Sequence, residues 1–160
     1  MRLAILAVGR MKAGPERELY DRYHQRISRS GGSLHLQGPD LVETAESRAR
    51  DAIARRNAEA ESLIASAGNA PRIILLDENG KDLDSRAFAA LIREEQDAGT
   101  DTLSFALGGP DGHGDALRAK SFRKLRFGSF TWPHQMARIM LAEQIYRAIT
   151  ILSGHPYHRD

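Results

Sequence analysis

The chain has 160 residues, 41% hydrophobic and 28% charged, with 23 Lys and Arg against 21 Asp and Glu for a net charge of +2. That length suits one domain over 1–160 with a sizeable core, and no apolar run approaches the roughly 20 residues of a membrane span; with a first strand and no signal peptide, a cytoplasmic protein is expected. Having no cysteine, the chain can form no disulfide, no cysteine-ligated metal site and no thiolate nucleophile against a pyrimidine ring, so any transfer to a base goes directly to a heteroatom.

Strand-like and helix-like segments alternate from the start, which predicts an α/β fold with a mainly parallel sheet flanked by helices. Leu3 to Val8 reads as the first strand. A helix follows from Pro15 to about Ser30, carrying Leu19, Tyr23 and Ile27 at four-residue spacing and stopped by Gly31 and Gly32. Ser33 to Gln37 reads as a short second strand. Glu43 to about Ala67 has a helical but highly charged pattern, ended by Gly68-Asn69-Ala70-Pro71. Ile73 to Leu76 is a buried strand ending at Asp77, and Glu78 to Lys81 a turn. Asp84 or Ser85 caps the next helix, with Phe88, Leu91 and Ile92 on one face and Gly99 beyond its end.

Leu103 to Leu107 is another buried strand, and it breaks into Gly108-Gly109-Pro110-Asp111-Gly112-His113-Gly114. Ligands of open α/β sheets sit beyond such strand ends. No register of this loop satisfies G-x-G-x-x-G, and Pro110 removes a backbone donor, which argues against a phosphate cradle and a dinucleotide oxidoreductase. A flat, uncharged ligand needing close backbone approach is one reading, and a ligand-free turn the other. His113 is expected to face solvent. The basic positions Arg118, Lys120, Arg123, Lys124 and Arg126 then form either a solvated face or an RNA track.

Phe127 to Trp132 leads into a last helix from Pro133 to about Ser153, whose Met136, Ile139, Met140, Ile145, Ile149 and Leu152 suit a core or a dimer interface. Arg138 and Arg147 are expected at the edge of that surface, each as an ion-pair partner of Glu143 or as a phosphate contact. The chain ends in Gly154-His155-Pro156-Tyr157-His158-Arg159-Asp160, a tail stiffened by Pro156 whose side chains can stack, donate and carry positive charge, as holding an unpaired RNA base requires. His155 and His158 are split by Pro156 with no other clustered ligands, so no metal site is expected.

Taken together, Leu75 to Lys81, Leu107 to Gly112, Thr131 to Gln135, Leu141 to Ala148 and the Gly154 to Arg159 tail resemble the RlmH-type methyltransferases of the SPOUT class, over essentially the whole chain. The resemblance implies a SPOUT fold with a C-terminal deep trefoil knot, an exception to the rule against knots. It implies methyl transfer from S-adenosylmethionine to N3 of pseudouridine 1915 in the 23S RNA of the large ribosomal subunit. The cofactor would meet Leu76, Gly108 and the segment Phe127, Gly128, Ser129, Phe130, Thr131 and Trp132. The implied active form is a homodimer, with one subunit's tail completing the other's site on the ribosome. His155 or His158 would handle the proton, Arg147 or Arg159 the charge, and Tyr157 the stacking. Trp132 departs from the leucine usual in the family, and Phe127 to Phe130 is more aromatic than its pattern.

Overall fold

The computed structural model describes residues 1–69 and 71–159; Ala70, in the expected helix terminator, and Asp160, the end of the tail, lie outside the described residues. Along Arg2–Val8 (β1), Leu3, Ile5 and Ala7 enter one apolar cluster while Ala4, Leu6 and Val8 enter another. A two-residue period with both faces apolar marks an interior strand. The remaining strands are Gln37–Thr44 (β2), Arg72–Lys81 (β3), Thr102–Leu107 (β4) and Arg123–Leu125 (β5). They are ordered β2-β1-β4-β3-β5, and every pairing is parallel.

Helices Pro15–Gly31 (α1), Ser85–Asp97 (α3) and His134–Leu152 (α5) cover one face, through Tyr20 and Ile27, Phe88, Leu91 and Ile92, and Ile139, Ile145 and Ile149. Ala52–Ser66 (α2) and Asp115–Lys120 (α4) cover the other, through Ala60, Leu63 and Leu117. Each large side chain buried this way contributes roughly 1.5–3 kcal/mol. Asp51 caps α2 by accepting from the Ala54 amide at 2.8 Å, and Asp84 caps α3 by accepting from Ala87 at 2.7 Å. Ser85, the other capping candidate, instead donates to Gln144 at 3.0 Å.

The structure corrects several element boundaries. Gly32–Leu34 forms a 3-10 turn, and His35 takes a left-handed conformation at φ 54°, so the second strand begins only at Gln37. It carries Pro39, which an edge strand tolerates because one side of its backbone has no partner. Glu43 and Thr44 end that strand instead of opening a helix, and α2 starts only at Ala52, where Asp51 supplies the cap.

The expected turn at Glu78 to Lys81 belongs to β3, interrupted by an irregularity: Leu125 pairs with both Leu76 and Lys81, so residues 77–80 bow out between them. Gly80 makes this possible, since a Cβ there would lie 2.4 Å from the Leu125 carbonyl carbon. α4 and β5 occupy the stretch read only as a run of basic residues.

Arg138 is not at an edge and does not pair with Glu143. It is 3% exposed and donates to Glu43 at 2.9 Å and to the Val8 carbonyl at 2.5 Å, because the start of α5 packs over the carboxyl end of β1.

Candidate active site

Leu76 and Leu107 form the last pair between the adjacent strands β3 and β4, where β4 ends and β3 begins to bow out. Beyond them a cavity of about 330 Å³ is walled by Gly108 to His113, by Asp77 and Arg118, and by the chain from Leu125 through Trp132 to His134 and Ala137. A larger cavity of about 610 Å³ shares Leu76 and Leu125 to Gly128 with it and continues between α1, α3 and α5, along Tyr23, Phe88, Ile139, Met140 and Glu143. Of the cofactor-binding candidates, Leu76, Gly108, Phe127, Gly128, Phe130, Thr131 and Trp132 all line the smaller cavity, whereas Ser129 is exposed and outside its wall.

The glycine loop is held from three sides. Arg55 of α2 grips Asp111 with two bonds, at 2.6 and 3.0 Å. Behind it, the buried Glu59 accepts from the Ser47 amide at 2.9 Å and turns its second oxygen toward Gly109, where a Cβ would sit 2.7 Å away. Gly112, at φ 85°, closes the loop by donating to the Gly109 carbonyl at 3.0 Å.

His113 is the third tie, and its solvent-facing expectation is overturned. It is 8% exposed, with Nε2 2.7 Å from the Leu76 carbonyl oxygen. The loop folds back under β3 at Leu76 and carries the ring inward. Burial pushes the imidazole below its ordinary pKa, against the opposing pull of the Leu76 bond and the Asp77 charge. Gly108 is explained by the same packing: a Cβ there would stand 2.6 Å from His113 Nδ1, so the missing side chain makes room for the ring.

Asp77, Arg118, His113 and His134 are wall residues that the sequence reading did not assign to this site. Asp77 is buried and accepts from the Asn79 amide at 2.9 Å and from Arg118 at 3.1 Å. Burial raises its carboxyl, but those bonds and the charges of His113 and Arg118 outweigh it and leave the group below its ordinary value. An acidic residue closing a buried strand was the available signal for Asp77. Arg118 offered none, being one of many basic residues.

The segment from Phe127 to Trp132 is clasped by the Trp132 indole, which donates to the Phe127 carbonyl at 2.9 Å. The departure from leucine therefore adds a hydrogen bond that leucine cannot make. Phe130 and Trp132 meet edge to face at 6.5 Å and are 78% and 40% exposed.

The tail candidates gather elsewhere. Tyr157 stacks edge-on against Tyr146 at 4.7 Å and donates to Glu143 at 3.1 Å. Arg147 lies 4.9 Å over the Tyr157 ring, donates to Glu143 at 3.0 Å and approaches His158 at 3.3 Å. Burial raises the Tyr157 hydroxyl pKa, and the Glu143 charge adds to it. His155 and Arg159 are exposed. None of these five lines the glycine-loop cavity of its own chain, although Glu143 reaches the larger cavity. Among the described residues no three His, Asp or Glu side chains group to hold a metal, and no helix is long and apolar enough to cross a membrane.

The family described as "Predicted SPOUT methyltransferase" matches residues 1–158. A Brucella anthropi protein named ribosomal RNA large subunit methyltransferase H is 52% identical over the whole of both chains. Proteins of the same name from Rhizobium meliloti and Nitrobacter hamburgensis are each 50% identical over 99% of both chains. An all-parallel sheet with a glycine loop and a clasped segment meeting beyond its strand ends thus has its class: the chain belongs to the SPOUT methyltransferases. Its place among them is with the RlmH-type members.

Proposed function

We propose that this protein transfers a methyl group from S-adenosylmethionine to N3 of a pseudouridine in large-subunit ribosomal RNA, in the cytoplasm and as a homodimer with the trefoil knot of its family. The observation that carries this is the convergence of Leu76, the glycine loop and Phe127 to Trp132 on one cavity, in a chain half identical to proteins named for ribosomal RNA methylation.

The cavity suits such a cofactor. Leu76, Leu107, Leu125 and Phe127 offer apolar surface to a flat base. Asp77, kept ionised by Asn79 and Arg118, fixes the Arg118 side chain in the cavity wall. S-adenosylmethionine, when bound, supplies a methyl group on a sulfonium whose positive charge is dispersed on transfer. The chain's own part is positioning and exclusion of water, which serve a direct displacement better than covalent help.

The imide N3 of the base must lose a proton. In the proposed dimer His155 or His158 of one subunit takes it beside the other's cavity, and Arg159 stabilises the charge left on the ring. Arg147 holds the Tyr157 ring, which stacks on the base. The separation of the tail from its own chain's cavity supports a role in the neighbouring subunit.

The test is incubation of large subunits and of whole ribosomes lacking the modification with labelled S-adenosylmethionine, followed by nucleoside analysis. Label in N3-methylpseudouridine is expected. Label in another nucleoside, or none, sinks the assignment.

A further inference from the structure

His113 touches the cavity yet holds no role in the transfer described above. A carbonyl oxygen only accepts, so the 2.7 Å contact with Leu76 puts the ring proton on Nε2. Nδ1 is then a lone pair, buried, with no hydrogen-bond partner. It abuts Gly108 so closely that a Cβ would be 2.6 Å from it and 3.0 Å from the Gly112 carbonyl oxygen. One ring nitrogen is therefore bonded to Leu76 of β3 while the other faces Gly108, the first residue of the glycine loop, across the space a Cβ would fill. Both of those segments wall the same cavity.

We propose that His113 is a positioning residue of this cavity, whose neutral Nε2–H tautomer holds Leu76 and Gly108 at the spacing an adenosyl ligand needs, so that binding requires an uncharged imidazole. The proposal rests on assigning the cavity to S-adenosylmethionine. A proton on Nδ1 would be a buried donor without an acceptor. The charged and titratable groups facing the ring are Asp77 from β3, Arg118 from α4 and His134 from α5. Asp77 is already engaged by Arg118 and the Asn79 amide. The depressed imidazole pKa, caused first by burial, agrees with a ring kept neutral.

Calorimetric titration with S-adenosylhomocysteine between pH 7.5 and 5.5 tests this, with His134→Gln in every protein compared so that His113 is the one imidazole left in the cavity wall. With His113 present, affinity is expected to fall toward acid, approaching roughly tenfold per pH unit once the imidazole takes up protons. His113→Gln, which retains a donor for the Leu76 carbonyl but does not titrate, should bind nearly as well at pH 7.5 and show a flat profile. His113→Leu should also be flat but bind roughly 2- to 10-fold more weakly, the loss expected for one hydrogen bond.

An identical acid profile in all three proteins overturns the proposal. Absence of binding by the unaltered protein at pH 7.5 instead overturns the cavity assignment beneath it. Nitrogen-15 spectra of the unaltered full-length protein give a second check independent of any variant's folding. They should show His113 protonated on Nε2 and titrating below the ordinary imidazole range, and an Nδ1–H tautomer or ordinary titration refutes the idea.

Discussion

Gly108 and Arg138 show how far a single side chain, or its absence, can constrain this molecule. Gly108→Ala would drive its methyl into His113, so it should weaken S-adenosylhomocysteine binding at least tenfold while circular dichroism stays native; unchanged affinity would mean the ring can shift without consequence. Arg138→Met leaves Glu43 and the Val8 carbonyl without their buried partner, and a cost of about 3–5 kcal/mol is expected in urea unfolding.

Acid sensitivity follows from His113 and Asp77. Both have depressed pKa values, so the unfolded chain takes up protons first. Their stability contributions are complete at neutral pH. The part due to His113 is lost as pH falls below about 6.5, and the part due to Asp77 only below about 4. Urea midpoints should therefore drop between pH 7 and 5 in the natural protein and hold steady in His113→Gln.

At the scale of elements, the sequence revealed what repeats and hid what long-range contacts decide. β1, β4, α1, α3 and α5 were legible because apolar spacing matches their burial. β2 was misplaced because Pro39 reads locally as a break, and only its place at the sheet edge makes it acceptable. β5 carries Arg123 and Lys124 on exposed positions and becomes a strand only by pairing with β3. The segments proposed to meet the cofactor were read from family motifs, whereas His113 was expected in solvent because its inward turn depends on how the loop folds under β3. Gly80→Val would collide with the Leu125 backbone and should strip β5 from the sheet, seen as faster amide exchange at Leu125 and Arg126 with β1 and β4 unchanged.

For the whole molecule, the distance between tail and cavity within one chain makes subunit exchange informative. A protein lacking residues 155–160 keeps its cavity but loses the tail, and Gly108→Arg keeps the tail but blocks the cavity. Each alone should be inactive, and mixed, refolded pairs should recover activity because one complete composite site forms per heterodimer. No recovery would place the tail's action in its own chain. The Arg138 bond to Val8 joins the last helix to the first strand across 130 residues. A ribosome making this protein must therefore finish nearly the entire chain before the first strand obtains its final partner. Contacts so distant in sequence slow folding, and a chain stalled before α5 would leave uncovered the apolar faces of α1 and α3 that α5 packs against.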